Sequence, residues 1–234
     1  MSTNGCIGVR VSGKDYFQYN HSDSYPSHLG FEMLKAARKL SVESLVKCAA
    51  TWTLVDDQDI LTGEWFEKLT PLLAQPGEDT QAMTERLGGK SRDGGGVAFY
   101  DALREYQGDL IAWVEQGIPV WLNNEYLPLG SDWGYLIDCD ERIFEVYTNH
   151  YTASKATLER LRRLGNRFVE LAAEPDDRPM ALIAAVPLED LIDLPDAVAR
   201  VWCGELERRT RGRGNDYFIR HPGRGSRALS PIAA

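Results

Sequence analysis

The first twenty residues contain the feature that most constrains the fold, an alternating apolar pattern followed by a turn. Ile7, Val9 and Val11 alternate with small or polar residues, so their side chains share one face of a strand. The sequence Ser12-Gly13-Lys14 favours a tight turn, and residues 16–19 return as a second strand. The pattern predicts an antiparallel hairpin, which places two strands side by side at the start of the chain.

A second hairpin is predicted in the centre of the chain, with strands over residues 133–139 and 143–147. Further short strands are predicted at residues 51–55, 118–122 and 179–186. Helical spacing predicts helices at residues 31–40, 42–50, 62–74, 97–116, 154–173 and 195–209. Hairpins interspersed with helices indicate an α+β fold, with a largely antiparallel sheet built from the two hairpins and helices packed around it.

Composition is close to that of an ordinary folded protein. The chain has 234 residues, of which 43% are hydrophobic and 26% charged, so it is long enough to bury a core and is not disordered as a whole. One globular domain is expected over residues 1–207, with a mobile, glycine-rich loop near residues 76–96 and a basic, flexible tail at 208–234. No apolar run is long enough to span a membrane, and no secretory signal is visible.

The four cysteines are far apart, which argues against a zinc site or a disulfide framework and favours a cytoplasmic location. Charge is unevenly distributed. The formal net charge is −9, but the last thirty residues contain seven arginines against three acidic residues. Residues 1–204 therefore carry a net charge of −13. Because phosphate contacts need clustered cations, the acidic body argues against broad nucleic-acid binding except through the basic tail.

Four segments resemble an uncharacterised protein family of bacteria, bacteriophages and some fungi. They are YNHSDSYPSHLG at residues 19–30, VDDQDILTGE at 55–64, LREYQGD at 103–109 and DWGYLIDCDERIFEVY at 132–147. The resemblance covers roughly residues 5–147 and implies an α+β protein of cytosolic or phage origin. No activity is established for that family, so the resemblance assigns no catalytic residue to this chain.

The loop at residues 20–30 is the best candidate for a functional site, because polar groups at strand ends often meet ligands. His21 is a candidate acid or base near neutral pH, Asp23 would orient it or receive a proton, and Tyr25 completes the catalytic set. Asn20 and Ser24 are predicted to bind the ligand. A structural interpretation also stays open, in which the polar residues cap turns and Gly30 supplies an unusual backbone dihedral angle.

Two further residues, Arg104 and Gln107, are predicted to contribute to ligand binding at this loop. Gln107 is followed by Gly108, and glycine destabilises the interior of a helix by about 1 kcal/mol relative to alanine. Gly108 therefore indicates either the close approach of another element or a break in the helix that faces the loop. We expect Arg104 and Gln107 to lie near residues 20–30.

Two alternative sites are also open. Cys6 would be an N-terminal nucleophile if the chain were cleaved after Gly5. Carboxylates would bind Mg²⁺ or Ca²⁺ in either of two acidic clusters. The clusters are Asp56, Asp57, Asp59 and Glu64, and Asp138, Asp140 and Glu141.

The sequence favours an enzyme that binds a small polar ligand, a hydrolase, with no metal among its site residues and no cofactor identified. The alternative is a non-catalytic interaction or accessory protein of a phage or mobile element, which would contact a protein partner.

Overall fold

A computed structural model describes residues 3–21, 23–56, 58–87, 96–122, 127–150, 158–159, 161–162, 166–171 and 178–211. The strands are β1 (Gly5–Val11), β2 (Lys14–Asn20), β3 (Thr53–Val55), β4 (Val120–Leu122), β5 (Trp133–Asp138), β6 (Ile143–Thr148) and β7 (Ala181–Pro187). The helices are α1 (Phe31–Lys39), α2 (Val42–Ala49), α3 (Gly63–Leu73), α4 (Thr80–Arg86), α5 (Phe99–Ala102), α6 (Leu110–Glu115), α7 (Leu127–Gly130), α8 (Leu188–Leu191) and α9 (Asp196–Arg211). A π-helical turn covers Pro26–Gly30, and 3₁₀ turns cover Arg104–Tyr106 and Val169–Leu171.

The main sheet has five strands in the order β2-β1-β5-β6-β7. Both predicted hairpins are present, β1 with β2 and β5 with β6, and β7 is antiparallel to β6. The two hairpins join through β1 and β5, which run parallel. The predicted α+β fold with a largely antiparallel sheet is therefore confirmed.

The two faces of the main sheet differ in what covers them. We call one the loop face; its residues include Ile7 and Tyr135, and it packs against most of the helices in the large apolar core. We call the other the charged face; it carries a small apolar cluster around Leu136 and Tyr147. Beside that cluster stand buried acidic residues, including Asp138 and Glu145. Segment 166–171 contacts this second face through Phe168 and Arg167.

A second, two-stranded sheet lies over the loop face beside β2. Its strands β3 and β4 run parallel, and β4 contacts β2. The rings of Trp52 and Trp121 stack with centroids 4.2 Å apart, and Tyr16 of β2 meets both of them edge-on. Trp113 of α6 donates its indole N–H to the Val120 carbonyl at 2.9 Å. Aromatic packing thus joins the second sheet to the edge of the first.

The structure corrects two predicted helices. Residues 97–116 form α5, a 3₁₀ turn and α6 instead of one helix, because Gly108 adopts a left-handed φ of +78°. Asp109 then caps α6, accepting from the Ala112 backbone N–H at 2.9 Å. Within the predicted helix 154–173, the described residues 158–159 and 161–162 are helical. A turn and 3₁₀ geometry follow at residues 167–171.

Part of the region 76–96 is helical, where the sequence pattern allows one helical turn at residues 81–87. In residues 76–87, the helix α4 is capped by Asp79 and buries Met83 in the main core. Residues 88–95 lie outside the described part of the chain. At the other end, α9 continues through Arg211, past the start of the predicted tail, and residues 212–234 lie outside the described residues.

Candidate functional site

Loop 20–30, between β2 and α1, is held against the sheet through Asn20 and Ser24. The Asn20 side-chain amide donates to Ser24 Oγ at 2.8 Å, and the Ser24 backbone N–H donates to the Thr3 carbonyl at 3.2 Å. The Ser24 carbonyl accepts a hydrogen bond of 2.8 Å from the buried Tyr135 hydroxyl. Ser24 is completely buried. In this geometry Asn20 and Ser24, which we predicted to bind the ligand, fix the position of the loop.

Two glycines allow the loop to pack this closely on the sheet. A Cβ atom at Gly5 would lie 2.5 Å from Ser24 Cβ, and one at Gly30 would lie 2.7 Å from Tyr135 Cε1. Gly30 has ordinary right-handed helical angles, φ −60° and ψ −39°. The prediction that Gly30 supplies an unusual dihedral angle is therefore wrong, and the residue is needed because a side chain would collide with Tyr135.

The three predicted catalytic residues lie on the outer part of this anchored loop. His21 and Asp23 are exposed, and Tyr25 is half-buried. The His21 Nδ1 atom lies 3.4 Å from the Tyr19 hydroxyl. Asp23 has a left-handed φ of +54°, a conformation that aspartate adopts more readily than most residues. An imidazole and a carboxylate are thus exposed to solvent on a loop that hydrogen bonds hold against the sheet.

The turn before α6 packs against the same loop. A Cβ atom at Gly108 would lie 2.7 Å from Asn20 Oδ1 and 3.0 Å from Leu29 Cδ1. Gly108 thus marks a helix break that faces the loop, as one of the two sequence interpretations predicted. Gln107, the preceding residue, has a buried Nε2 atom without a hydrogen-bond partner. Arg104 is exposed on the 3₁₀ turn three residues earlier.

Cys6 has none of the properties of an activated nucleophile. It lies in β1, which is paired with strands on both sides, and the residue is completely buried. Burial raises the pKa of the Cys6 thiol to about 12, with a hydrogen bond to Ser131 acting in the opposite direction. The thiol is therefore protonated at neutral pH and enclosed by the fold, which argues against the N-terminal nucleophile hypothesis.

Arg167 is the centre of an ion-pair network on the charged face that the sequence did not reveal. Its Nη2 atom lies 2.7 Å from Asp138 Oδ2 and 3.0 Å from Glu145 Oε2, and both carboxylates are almost fully buried. Asp15 connects Arg167, at 3.3 Å, to Arg10, at 2.8 Å. The missed signal was a charged residue at an inward position of each strand of the central hairpin, since such residues need a partner.

The pKa of the Glu145 carboxyl in this network is shifted by its surroundings. Burial raises its pKa from 4.5 to about 6, while the nearby Arg167 guanidinium and a hydrogen bond from the Tyr147 hydroxyl oppose that rise. The Tyr147 hydroxyl donates to Glu145 Oε2 at 2.8 Å. Each charged group of the network is already paired with an opposite charge or a hydrogen-bonding group of the protein. The network therefore stabilises the fold.

In the central acidic cluster, the carboxylates of Asp138 and Asp140 accept hydrogen bonds from backbone N–H groups of the turns. Asp138 Oδ1 accepts from the backbone N–H groups of Asp140 and Glu141 at 3.0 and 2.9 Å. The Asp140 carboxylate accepts from the backbone N–H groups of Ser12 and Gly13, both at 2.7 Å. This carboxylate therefore ties the turns of the two hairpins together, and its oxygens are occupied by backbone donors.

The other acidic cluster has local partners as well. Asp56 accepts from the Gln58 backbone N–H at 2.9 Å, and Glu64 pairs with Lys68 at 2.6 Å. Asp57 lies outside the described residues. Nowhere in the described part of the chain do three His, Cys, Asp or Glu side chains come together in a group that would hold a metal ion. Among the described helices, none combines the length and the apolar composition needed to cross a membrane.

Comparison with known proteins gives no relative, since no protein-family model, no curated protein and no solved structure matches this chain. Any function must therefore be argued from the geometry of the site.

Proposed function

We propose that this protein is an enzyme that binds a small polar ligand over loop 20–30 and hydrolyses it, with His21 as the general base. The observation that supports the proposal is the combination of a fixed backbone with exposed reactive groups. Asn20 and Ser24 hold the loop from within, while His21 and Asp23 face solvent. Catalytic groups need such support, because small displacements reduce the rate strongly.

In the proposed reaction, the His21 imidazole removes a proton from water as the water oxygen attacks the electrophilic centre of the ligand. The same proton then passes to the leaving group, so the imidazole returns to its neutral form. Asp23 orients the imidazolium and stabilises its charge. In this proposal the hydroxyl of the half-buried Tyr25 contacts the ligand, and Gln107 and the exposed Arg104 are assigned to ligand binding.

His21→Ala and Asp23→Asn test the proposal. Asparagine removes the charge of Asp23 yet still accepts the left-handed φ of +54°, so a loss of activity cannot be attributed to backbone strain. His28→Ala is the matched control, because His28 is exposed on the same loop. Hydrolysis of p-nitrophenyl acetate and p-nitrophenyl phosphate is followed together with thermal unfolding.

We expect His21→Ala and Asp23→Asn to lower turnover at least 100-fold with unchanged melting temperatures, since a general base contributes a factor of that order. His28→Ala should retain full turnover. If the wild type hydrolyses neither ester, or if both variants lose stability and activity in proportion, the loop has a structural role only.

A non-catalytic interaction protein is the second candidate, and exposed apolar residues on α9 favour it. Val198 and Val201 lie one turn apart and are 44% and 73% exposed. Under this alternative the two valines belong to a contiguous apolar patch, the feature that marks a surface where a partner binds. Under this alternative Val201→Lys abolishes partner capture, whereas His21→Ala leaves it intact.

A further inference from the structure

Unpaired polar atoms are concentrated in one layer of the interior. Among the described residues, five buried side-chain nitrogen or oxygen atoms have no hydrogen-bond partner. Four of them belong to three residues: both amide atoms of Gln18, Gln107 Nε2 and Trp121 Nε1. The fifth, Trp133 Nε1, is on β5, two strands away from β2. Gln18 is 1% exposed and Trp121 is fully buried, so bulk water does not solvate these groups.

The topology places the three residues around one junction, between β2 and the elements that cover it. Tyr16, Gln18 and Asn20 alternate along β2 and therefore share the loop face. At one end, the Tyr16 ring lies 6.3 Å from the Trp121 ring. At the other end, Asn20 meets the Gln107–Gly108 turn. Gln18 stands between these two contacts and faces the junction midway.

Leaving these atoms unpaired is unfavourable. Each buried polar group without a partner costs about 1–3 kcal/mol, and native interiors pair most of theirs. Leucine at position 18 would fit an apolar junction without that cost. A glutamine and an unpaired indole N–H at the same place, beside a second unpaired amide, therefore indicate that a polar molecule completes the hydrogen bonding when it binds.

The chemistry of the unpaired atoms defines the ligand class. Gln18 Nε2, Gln107 Nε2 and Trp121 Nε1 donate, and Gln18 Oε1 accepts. A carbonyl oxygen beside an N–H group satisfies this set. None of these donors carries a charge, and the net charge of −9 disfavours an anion. The neighbouring rings of Tyr16 and Trp52 favour a planar molecule.

We propose that the junction between β2 and β4, lined by Gln18, Gln107 and Trp121, binds a small, planar, uncharged amide. Carboxamides, ureides and lactams all belong to this class. The inference rests on the proposed function in one respect: the amide would be the polar ligand that loop 20–30 receives. The connection is Asn20, which ends β2, begins the loop and contacts Gly108. The amide group binds inside, and the remainder of the ligand lies towards His21.

Binding of two amides, each compared with its own acid, tests the inference on the full chain. The probes are acetamide against acetate, and nicotinamide against nicotinate, so size is constant and charge changes. Affinity is measured by tryptophan fluorescence and by ligand-observed NMR. The variants are Gln18→Leu and Trp121→Phe, which removes the indole N–H and keeps an aromatic ring. Gln116→Leu is the matched control, since Gln116 is exposed at the end of α6.

We expect nicotinamide to bind the wild type and Gln116→Leu equally, and at least 10-fold more tightly than nicotinate. Gln18→Leu and Trp121→Phe should each weaken nicotinamide binding about 10-fold, the value of one hydrogen bond. Without ligand, Gln18→Leu should melt a few degrees higher than the wild type, because the unpaired atoms are gone. If Gln18→Leu does not fold, the nicotinamide affinity of Trp121→Phe tests the inference on its own.

The inference is overturned if neither amide binds the wild type, if amide and acid bind equally, or if Trp121→Phe binds as tightly as the wild type. Its failure is distinguishable from failure of the proposed function. If His21→Ala abolishes ester hydrolysis but neither amide binds the wild type, the protein is still a hydrolase, and its ligand belongs to another class. Amide binding without ester hydrolysis would leave a binding site with no hydrolase.

Discussion

The two faces of the main sheet differ in whether their buried polar groups have hydrogen-bonding or ion-pair partners. On the charged face, the carboxylates of Asp138 and Glu145 meet the Arg167 guanidinium at 2.7 and 3.0 Å. On the loop face, Gln18 is just as deeply buried and has no partner at either amide atom. Full pairing stabilises one arrangement of the chain, whereas under our proposal the unpaired groups form their hydrogen bonds with a ligand. The difference separates a structural cluster from a functional candidate.

The largest effect that would test this comparison is expected for Arg167→Met. Methionine keeps much of the aliphatic volume but leaves the buried Glu145 carboxylate without its cation and Asp138 with only the more distant Arg10 Nε, at 3.8 Å. The change should lower the free energy of unfolding by roughly 3 kcal/mol. Urea unfolding measures the change. Arg162→Met is the control, because the Arg162–Glu170 pair is exposed and should contribute less than about 1 kcal/mol. If the free energy of unfolding falls equally in the two variants, the buried network contributes no more to stability than an exposed ion pair does.

The pH dependence of stability gives a second test, at Glu145. The pKa of this carboxyl is raised by burial from 4.5 to about 6, so the folded protein holds the proton more tightly than the unfolded chain. Its stabilising contribution is fully present below pH 4.5 and is lost as the pH rises through 6. The shift corresponds to roughly 2 kcal/mol.

Glu145→Gln should remove this loss while still accepting the hydrogen bond from Tyr147. Between about pH 4 and pH 7.5, the unfolding free energy of the variant should therefore rise by roughly 2 kcal/mol relative to that of the wild type. Urea unfolding at a series of pH values measures the difference, in which titrations common to both proteins cancel. Parallel curves for the two proteins would show that Glu145 does not titrate as the geometry of the network requires.

The sequence predicted the strands well, because alternation and turn residues are local. The Ser12-Gly13 turn and both hairpins are present, and the break at Gly108 was one of the interpretations of its sequence. Arg167 could not be placed, since its partners are contributed by β2, β5 and β6. Gln18 was equally hidden: nothing local shows that β4 will cover this face. At the candidate loop, the sequence singled out polar residues without distinguishing their environments. Only the structure shows that Ser24 is buried and holds the loop, while His21 and Asp23 are exposed.

The smallest effect is expected at the loop anchor, with Ser24→Ala. The change removes the hydroxyl that accepts from the Asn20 amide at 2.8 Å, within a fully buried position. We expect the free energy of unfolding to fall by about 1 kcal/mol and the melting temperature to fall by about 2–4 °C. Hydrogen exchange of the backbone amide of residue 24 should become faster. Ser44→Ala is the control, because the Ser44 hydroxyl bonds the Ser41 carbonyl near solvent and alanine favours the helix.

We expect Ser24→Ala to affect activity more than stability, because the proposed mechanism requires His21 to be held in place. A small loss of stability accompanied by a large loss of ester hydrolysis in Ser24→Ala would show that the loop must be fixed for His21 to act. Unchanged hydrolysis together with faster amide exchange would contradict the role of the anchored loop, since a loosened backbone would then position His21 equally well. The loop face would in that case owe any function to the Gln18 junction alone.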